Sequence, residues 1–558
     1  MISFPREVYK EDEVDDSNPS ISLFGRRFCD DQQVLDVLSE FLLVASSPKK
    51  VFDKFDGFFP ANEDLNQWRE ESKALLYYPR CRINLKLFSF LSSSPLATRH
   101  PIHREHADEL NSLLSQKIDL ESSAEKREFL QILSNLFLGF WGTGSKRTWC
   151  AQSFFPFCRS TLCAEVVWKQ IPAKREHLVD WEDMLSKFGK CFGLDQHVVL
   201  CRGGEALYLQ ICNALTQTEE EIDVWIDKSK KTGSPIELSE DERNPQMLHD
   251  SLEELFAEYF AQTPQLDKIM DFVDSKVDAA TAETSDTSAG EPRSSKCGWI
   301  PRESWKEGYL FAVEVKRILA AKMGVMETAD MLMIACAMQI MRTLAAQSYR
   351  HTYEDAASDD AVFNYRILLC DALSRKRKLK KFSSESLGEV IKTIQQAIRT
   401  PETIERIEQK IAEREPNQDK REKKFQSIYR DADDYGFKLY RKIGKSIGLI
   451  VPQTGRWMRY TLNDRILRYL VVTLVPGERM TLETFKKQME AHHGFVFDLN
   501  RLAISPNWAV REKELSGTDS SNNFLEQMLD ASGILVRLSD SCSLVKNPFV
   551  NSANGEVK

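Results

Sequence analysis

Asn463-Asp464-Arg465-Ile466-Leu467-Arg468-Tyr469-Leu470-Val471-Val472-Thr473-Leu474, followed by Val475-Pro476-Gly477, is the stretch on which the fold turns. Ile466, Leu467, Leu470, Val471 and Leu474 share one face at a period of 3.6. This predicts an amphipathic helix capped by Thr461 or Asn463 and stopped by Pro476-Gly477. Thr481 then opens a second helix whose inner side is Leu482, Phe485 and Met489, with Gly494 suited to a left-handed C-cap. Residues 500–521 read as an inserted loop, and Ser521 to Ser532 as a third helix through Phe524, Leu525, Met528 and Leu529. Ile534-Leu535-Val536-Arg537-Leu538, a Ser-Asp-Ser turn and Cys542-Ser543-Leu544-Val545 alternate as a hairpin should.

That order of elements over residues 455–550 resembles a winged helix-turn-helix, the hairpin being the wing, a module that binds DNA or another protein. In a DNA-reading member the third helix enters the major groove, where Arg, Lys, Asn or Gln must reach base edges. Here it offers Glu526 and Asp530, with Asn522, Asn523 and Gln527 as the available readers. An acidic face near phosphates costs energy, so sequence-specific reading is disfavoured. Arg537 in the wing remains a candidate backbone contact.

Working outward, a chain of 558 residues is long enough for several domains. Hydrophobic residues at 42% and charged ones at 28% are ordinary for a globular protein and argue against a disordered or fibrous class. The longest apolar run, Met331 to Met341, falls short of a membrane span and is expected to be a buried helix, so no membrane contact is expected. Met1 to Asp16 has no apolar segment behind a basic start, and the twelve cysteines include no Cys-x-x-Cys pair. Both point to a cytoplasmic protein with reduced thiols.

The net charge of −9 hides an asymmetry: Arg366 to Arg465 holds 24 Lys plus Arg against 14 Asp plus Glu, so the rest of the chain carries the acid. Within that segment Arg375-Lys376-Arg377-Lys378-Leu379-Lys380-Lys381 packs six cations into seven residues. Six neutralised phosphates would give a log–log salt slope of roughly −5. The tract is a candidate nucleic-acid contact, with a solvated loop or docking onto the chain's own acidic segments as the alternatives.

The expected organisation is mainly α and multidomain. An acidic tail occupies 1–20, an α-rich domain 21–274, a flexible linker 275–296, a helical middle domain with the basic tract 297–454, the winged helix 455–550 and a short tail 551–558. Val34, Leu35, Leu38, Phe41 and Leu42 form one helical stripe, and Phe129, Ile132, Leu133, Leu136 and Phe137 another. Ala151 to Gln170 suits a short strand or two, and 216–260 reads as exposed acidic helices. The linker is poor in large apolar residues and cannot repay the entropy of ordering. Two long helices are predicted over 305–349, another near Ala361 to Ser374, and a run from Ser383 to Lys424 cut by Pro401 and Pro416.

Candidate chemistry is thin, and no cofactor is expected. Gly139 to Lys146 has the glycines of a phosphate loop but puts Ser145 where Lys should follow Gly144. Glu314-Val315-Lys316 matches half of a metal-dependent nuclease site, in which carboxylates hold Mg²⁺ and Lys polarises the phosphate. The upstream Asp is missing, and a helix with both residues on its wet side is preferred. His100, His103 and His106, and separately Cys150, Cys158 and Cys163, are metal candidates without a standard spacing. The methionines at 326, 331, 333, 338 and 341 read as core.

A helical multidomain chain with a terminal winged helix and no complete catalytic set is similar to the accessory subunits that accompany helicases or nucleases in multi-gene bacterial anti-phage systems, Druantia-type systems among them. The resemblance covers mainly residues 455–550 and implies a non-catalytic subunit that helps a partner enzyme engage foreign DNA. Two alternatives are a metal-dependent nuclease using Glu314 and Lys316, and a protein-only adaptor docking through its winged helix.

Overall fold

The computed structural model describes residues 2–5, 18–25, 33–71, 73–79, 81–83, 120, 122–129, 157–159, 162, 164–168, 192–194, 203–231, 233, 235–265, 267–268, 295–353, 365–371, 377–505, 508, 524–539 and 542–550. They are mainly helical, with six small sheets, in agreement with the expected class.

The N-terminal part contains β1 (Ser3–Phe4), α1 (Pro19–Phe24), α2 (Val34–Ser46), β2 (Lys49–Lys50), β3 (Lys54–Phe55), α3 (Asn62–Glu70), β4 (Leu76–Tyr77), β5 (Cys81–Ile83), β6 (Ala164–Trp168) and β7 (Phe192–Leu194). The helices α4 (Gly203–Leu215), α5 (Glu219–Lys231), α6 (Glu240–Arg243) and α7 (Pro245–Phe260) follow, then β8 (Ser295–Lys296) and β9 (Ile300–Pro301). Every residue of α4 is buried, as befits a helix that lies between two others. Glycine permits the contacts on both sides. A Cβ on Gly204 would lie 2.3 Å from Phe41 N in α2, and one on Gly308 2.3 Å from the Gln210 carbonyl oxygen.

Gly308 belongs to α8 (Trp305–Ala320), which crosses α4 and then packs on α9 (Val325–Thr352). The 28-residue α9 is long and apolar enough for a membrane, yet 89% of its most apolar window is buried inside this fold. It contains the methionine run, with Met331, Met338 and Met341 in the core and Met326 65% exposed.

After α9 come β10 (Ile367–Leu368), α10 (Arg377–Ala397), α11 (Pro401–Arg414), α12 (Gln418–Asp433), a π-helical turn at Asp434–Lys438, α13 (Leu439–Ser446), β11 (Ile450–Val451) and β12 (Arg459–Tyr460). The helix expected near Ala361 to Ser374 does not form over the described part of that stretch. Ile367 and Leu368 instead pair in parallel with Phe495 and Val496, because four consecutive apolar residues, Ile367 to Cys370, can be buried on both faces as a strand. Pro401 does cut the basic run, as N1 of α11 beneath the Thr400 cap.

The C-terminal elements are α14 (Asp464–Leu474), β13 (Arg479–Thr481), α15 (Leu482–His493), β14 (Phe495–Val496), α16 (Leu499–Leu502), α17 (Phe524–Ala531), β15 (Leu535–Ser539) and β16 (Cys542–Lys546). Asn463 caps α14 through its side chain, Thr481 caps α15, and Gly494 takes φ +69° at the end of α15. The last sheet runs β13-β16-β15, all antiparallel.

One apolar core reaches from Phe4 to Val545. Two expected flanking segments join the fold in part. Phe4, from the stretch read as a tail, pairs with Ile300 and is buried because its ring packs on Trp68. Ser295–Lys296, the end of the expected linker, pairs with Leu76–Tyr77. Residues 269–294 and the tail 551–558 lie outside the described residues. The acidic helices α5 and α7 are exposed on one side only, since Ile222, Trp225, Leu248, Leu252 and Phe256 are buried.

Candidate nucleic-acid interface

The described part of the basic tract, Arg377 to Lys381, opens α10. Arg377, Lys378 and Lys381 are exposed and Lys380 is half-buried, while Leu379 and Phe382 turn inward; Arg375 and Lys376 lie outside the described residues. Leu379 and Phe382 pack with Leu368, Val496, Leu499, Leu502 and Trp508, the Phe382 and Trp508 rings standing 6.1 Å apart. The cationic turn is thereby fastened to the β14–α16 part of the C-terminal region. Ser386 Oγ meets Leu368 N at 3.3 Å, and Ser383 Oγ accepts from Tyr460 N at 3.0 Å, tying α10 to β10 and β12.

Cations at a helix N-terminus oppose the macrodipole, each at a cost of about 0.3–1 kcal/mol, and anions would be favoured there. Lys381 has an i,i+4 partner in Glu385 at 3.6 Å, an exposed pair of small value. The turn therefore holds concentrated positive charge that its own helix does not need.

A short hairpin lies alongside. Ile450 and Val451 pair with Tyr460 and Arg459, and residues 453–457 between them are all exposed. Burial pushes the Cys370 thiol up, while Ser383, Arg459 and Lys380 pull it down, so a cation from the hairpin and one from α10 both bear on Cys370.

Arg537 is exposed in β15 but pairs with Asp530 of α17 at 3.1 Å, so an exposed carboxylate competes for it. In α17 Gln527 faces solvent, Glu526 is half-buried, and Asn522 and Asn523 lie outside the described residues. His100, His103, His106, Cys150, Cys163 and the Gly139 to Lys146 segment also lie outside them. Among the described residues no group of three or more His, Cys, Asp or Glu side chains is arranged to hold a metal ion, and no disulfide forms.

The expectation for Glu314 and Lys316 is corrected on one point. The segment is helical, but Glu314 faces the core and has no exposed surface, because α8 is covered there by α9, α14 and α15. Arg342 grips both carboxylate oxygens at 2.8 Å, Tyr469 Oη donates at 2.9 Å, and His492 Nδ1 lies 3.0 Å away. Burial alone would raise this carboxyl, yet the Arg342 guanidinium, with the His492 hydrogen bond beside it, holds it well below the usual carboxylate range. Burial pushes the His492 and His493 imidazoles down, which keeps them neutral. A carboxylate so enclosed cannot reach a phosphate-bound Mg²⁺. Lys316 points away to Glu242 at 3.5 Å, where Arg317 forms the closer bidentate pair.

This buried network, continued by Gln339 from Arg342 to Gln210 and on to Thr343, had no signal in the sequence because, apart from the Gln339–Arg342 step within α9, its bonds join residues 28 to 178 positions apart. The acidic side holds an open groove of about 510 Å³ between α5 and the start of α8, lined by Glu220, Glu221, Val224, Trp225, Lys228 and Trp305 among others. Compared with models of known families, with curated proteins and with solved structures, the chain matches none.

Proposed function

We propose that this chain is a non-catalytic, nucleic-acid-associated subunit of a multiprotein complex. It binds the phosphate backbone through the first turn of α10 and so helps a partner helicase or nuclease engage DNA, in the anti-phage setting to which its architecture points. The observation that carries this reading is the exposed Arg377, Lys378 and Lys381 at a helix end that repels them, anchored by Leu379 and Phe382. We read the order α14, β13, α15, α17, β15, β16, with β13-β16-β15 pairing, as the winged helix.

The test is fluorescence anisotropy with labelled DNA across a salt series. Changing Arg377, Lys378, Lys380 and Lys381 to Ala is expected to flatten the log–log slope by about 0.7–0.9 for each phosphate that is no longer neutralised. Absence of binding by the unaltered protein at low salt, alone and with its partner, would remove the reading.

A second reading, a protein-docking winged helix, is favoured by Glu526 and Asp530 on α17 and by the Arg537–Asp530 pair. It expects capture of the partner to survive charge reversal across Arg375 to Lys381.

A further inference from the structure

The β11–β12 hairpin supplies what the cationic turn lacks, an aromatic face. Trp457 at its tip is 75% exposed, a greater exposure than that of any other large hydrophobic side chain among the described residues. Its backbone stands at φ +66°, a conformation that bulky L-residues rarely take, two residues after Gly455 at φ +101°. Such strain persists where the surroundings impose it, and it is concentrated at binding sites. The base of the hairpin is rigid: Ile450 and Tyr460 are fully buried, Tyr460 Oη meets Tyr440 Oη at 2.7 Å, and Lys445 Nζ donates to the Gln453 carbonyl at 2.8 Å. An indole left in water on a rigid stem, in a strained loop, does not stabilise this chain.

The charge around it is positive. Arg456 is exposed beside Trp457, Arg459 bears on Cys370 together with Lys380, and the Ser383–Tyr460 hydrogen bonds join the hairpin to the helix that begins with Arg377 and Lys378. We infer that Trp457 is a stacking platform for an unpaired base of single-stranded nucleic acid whose phosphates lie along Arg456 and the first turn of α10. A base inside a duplex has both faces covered by its neighbours, so an exposed indole can stack on it only where the strand is open. Cations that track a backbone, combined with aromatic faces for the bases, are the recurrent solution for single strands without sequence preference. This rests on the proposed nucleic-acid function and narrows it to a substrate class. A subunit of this kind would hold a strand that a helicase has opened.

The experiment uses the full-length protein and two labelled probes, an oligothymidylate of about 20 nucleotides and a blunt duplex of similar length. Trp457→Ala is expected to weaken oligothymidylate binding about tenfold or more, the size of one base–aromatic stack, with the salt slope unchanged and duplex binding unaffected. Trp457→Phe, which keeps a π-face, is expected to restore most of the affinity, and saturation with oligothymidylate should quench indole fluorescence in the parent protein only. Equal binding by Trp457→Ala and parent, with binding still abolished on removal of the α10 cations, overturns the stacking role and leaves the proposed function standing. A Trp457→Ala protein that releases its protein partner but keeps the oligonucleotide also overturns it and assigns the surface to a protein. Failure of the parent protein to bind either probe at low salt, alone and with its partner, overturns both.

Discussion

Arg342 is held wholly inside the molecule by Glu314, Gln339 and the His492 carbonyl, and among the described residues it is the full positive charge that pairs with Glu314. Removing one partner of a buried pair leaves the other uncompensated, at about 3–5 kcal/mol, whereas replacing both with apolar groups of similar volume is often close to neutral. Arg342→Met is therefore expected to lower the unfolding free energy by about that amount in urea titrations, and Glu314→Leu/Arg342→Met to recover most of it. Additive losses in the double variant would show that the pair stabilises rather than merely compensates. Glu242 gives a pH dependence. Burial would raise its carboxyl, but Arg317 and Lys316 hold it at about 2. A depressed carboxylate contributes stability that is complete above its unfolded value near 4.5 and lost as pH falls through about 2, here on the order of 3 kcal/mol. The stability gap between the parent protein and Glu242→Gln should shrink over that acid window. A gap independent of pH would contradict the assignment.

Gly494 shows how one position decides the joining of two elements. It ends α15 at φ +69° and brings β14 against β10, where an added Cβ would lie 2.9 Å from the Tyr365 carbonyl oxygen. Gly494→Ala thus meets both backbone strain and a clash with main chain, and a loss of more than about 1 kcal/mol is expected in thermal or urea unfolding. This cap is legible in the sequence alone, as are the helices of α2, α8, α9, α11 and α14, because their stripes and caps are local. β10 is not: Ile367 and Leu368 gain their pairing from Phe495 and Val496, more than a hundred residues on, and the sequence around them carries no period. The candidate interface divides the same way. Six cations in seven residues draw attention to the segment that runs into α10, while Trp457 is one aromatic in an irregular loop, conspicuous only through its exposure and backbone angle. The burial of Glu314 escapes sequence reading for a related reason, since helical spacing does not tell which side faces the core when nearly every side is covered.

At the scale of the whole molecule, the C-terminal region from α14 to β16 is built into the common core. In α14 Ile466, Leu467, Tyr469, Leu470, Val471, Val472 and Leu474 are all buried, partly against α8 and α9, and Tyr469 completes the Glu314 network. Outside, Arg465 and Arg468 pair with Asp330 and Glu327 of α9. Excising residues 455–550 would bare the side of α14 that now faces α8 and α9. Even three large apolar side chains returned to water cost roughly 5–9 kcal/mol, comparable with the 5–15 kcal/mol that holds a typical domain together. The excised segment is therefore expected to show no cooperative melt by circular dichroism and to bind a hydrophobic dye, while the full chain unfolds with a sigmoidal transition. A sharp melt from the fragment would mean that its internal core is sufficient and that the seam with α8 and α9 is a docking contact. The expected result has a functional side. Under the proposed function, a β15–β16 hairpin fixed to the same core as the Trp457 hairpin and the α10 cations does not swing independently of them, so one rigid face would meet nucleic acid, and binding at Trp457 and at α10 should be lost together when the core is loosened by Arg342→Met.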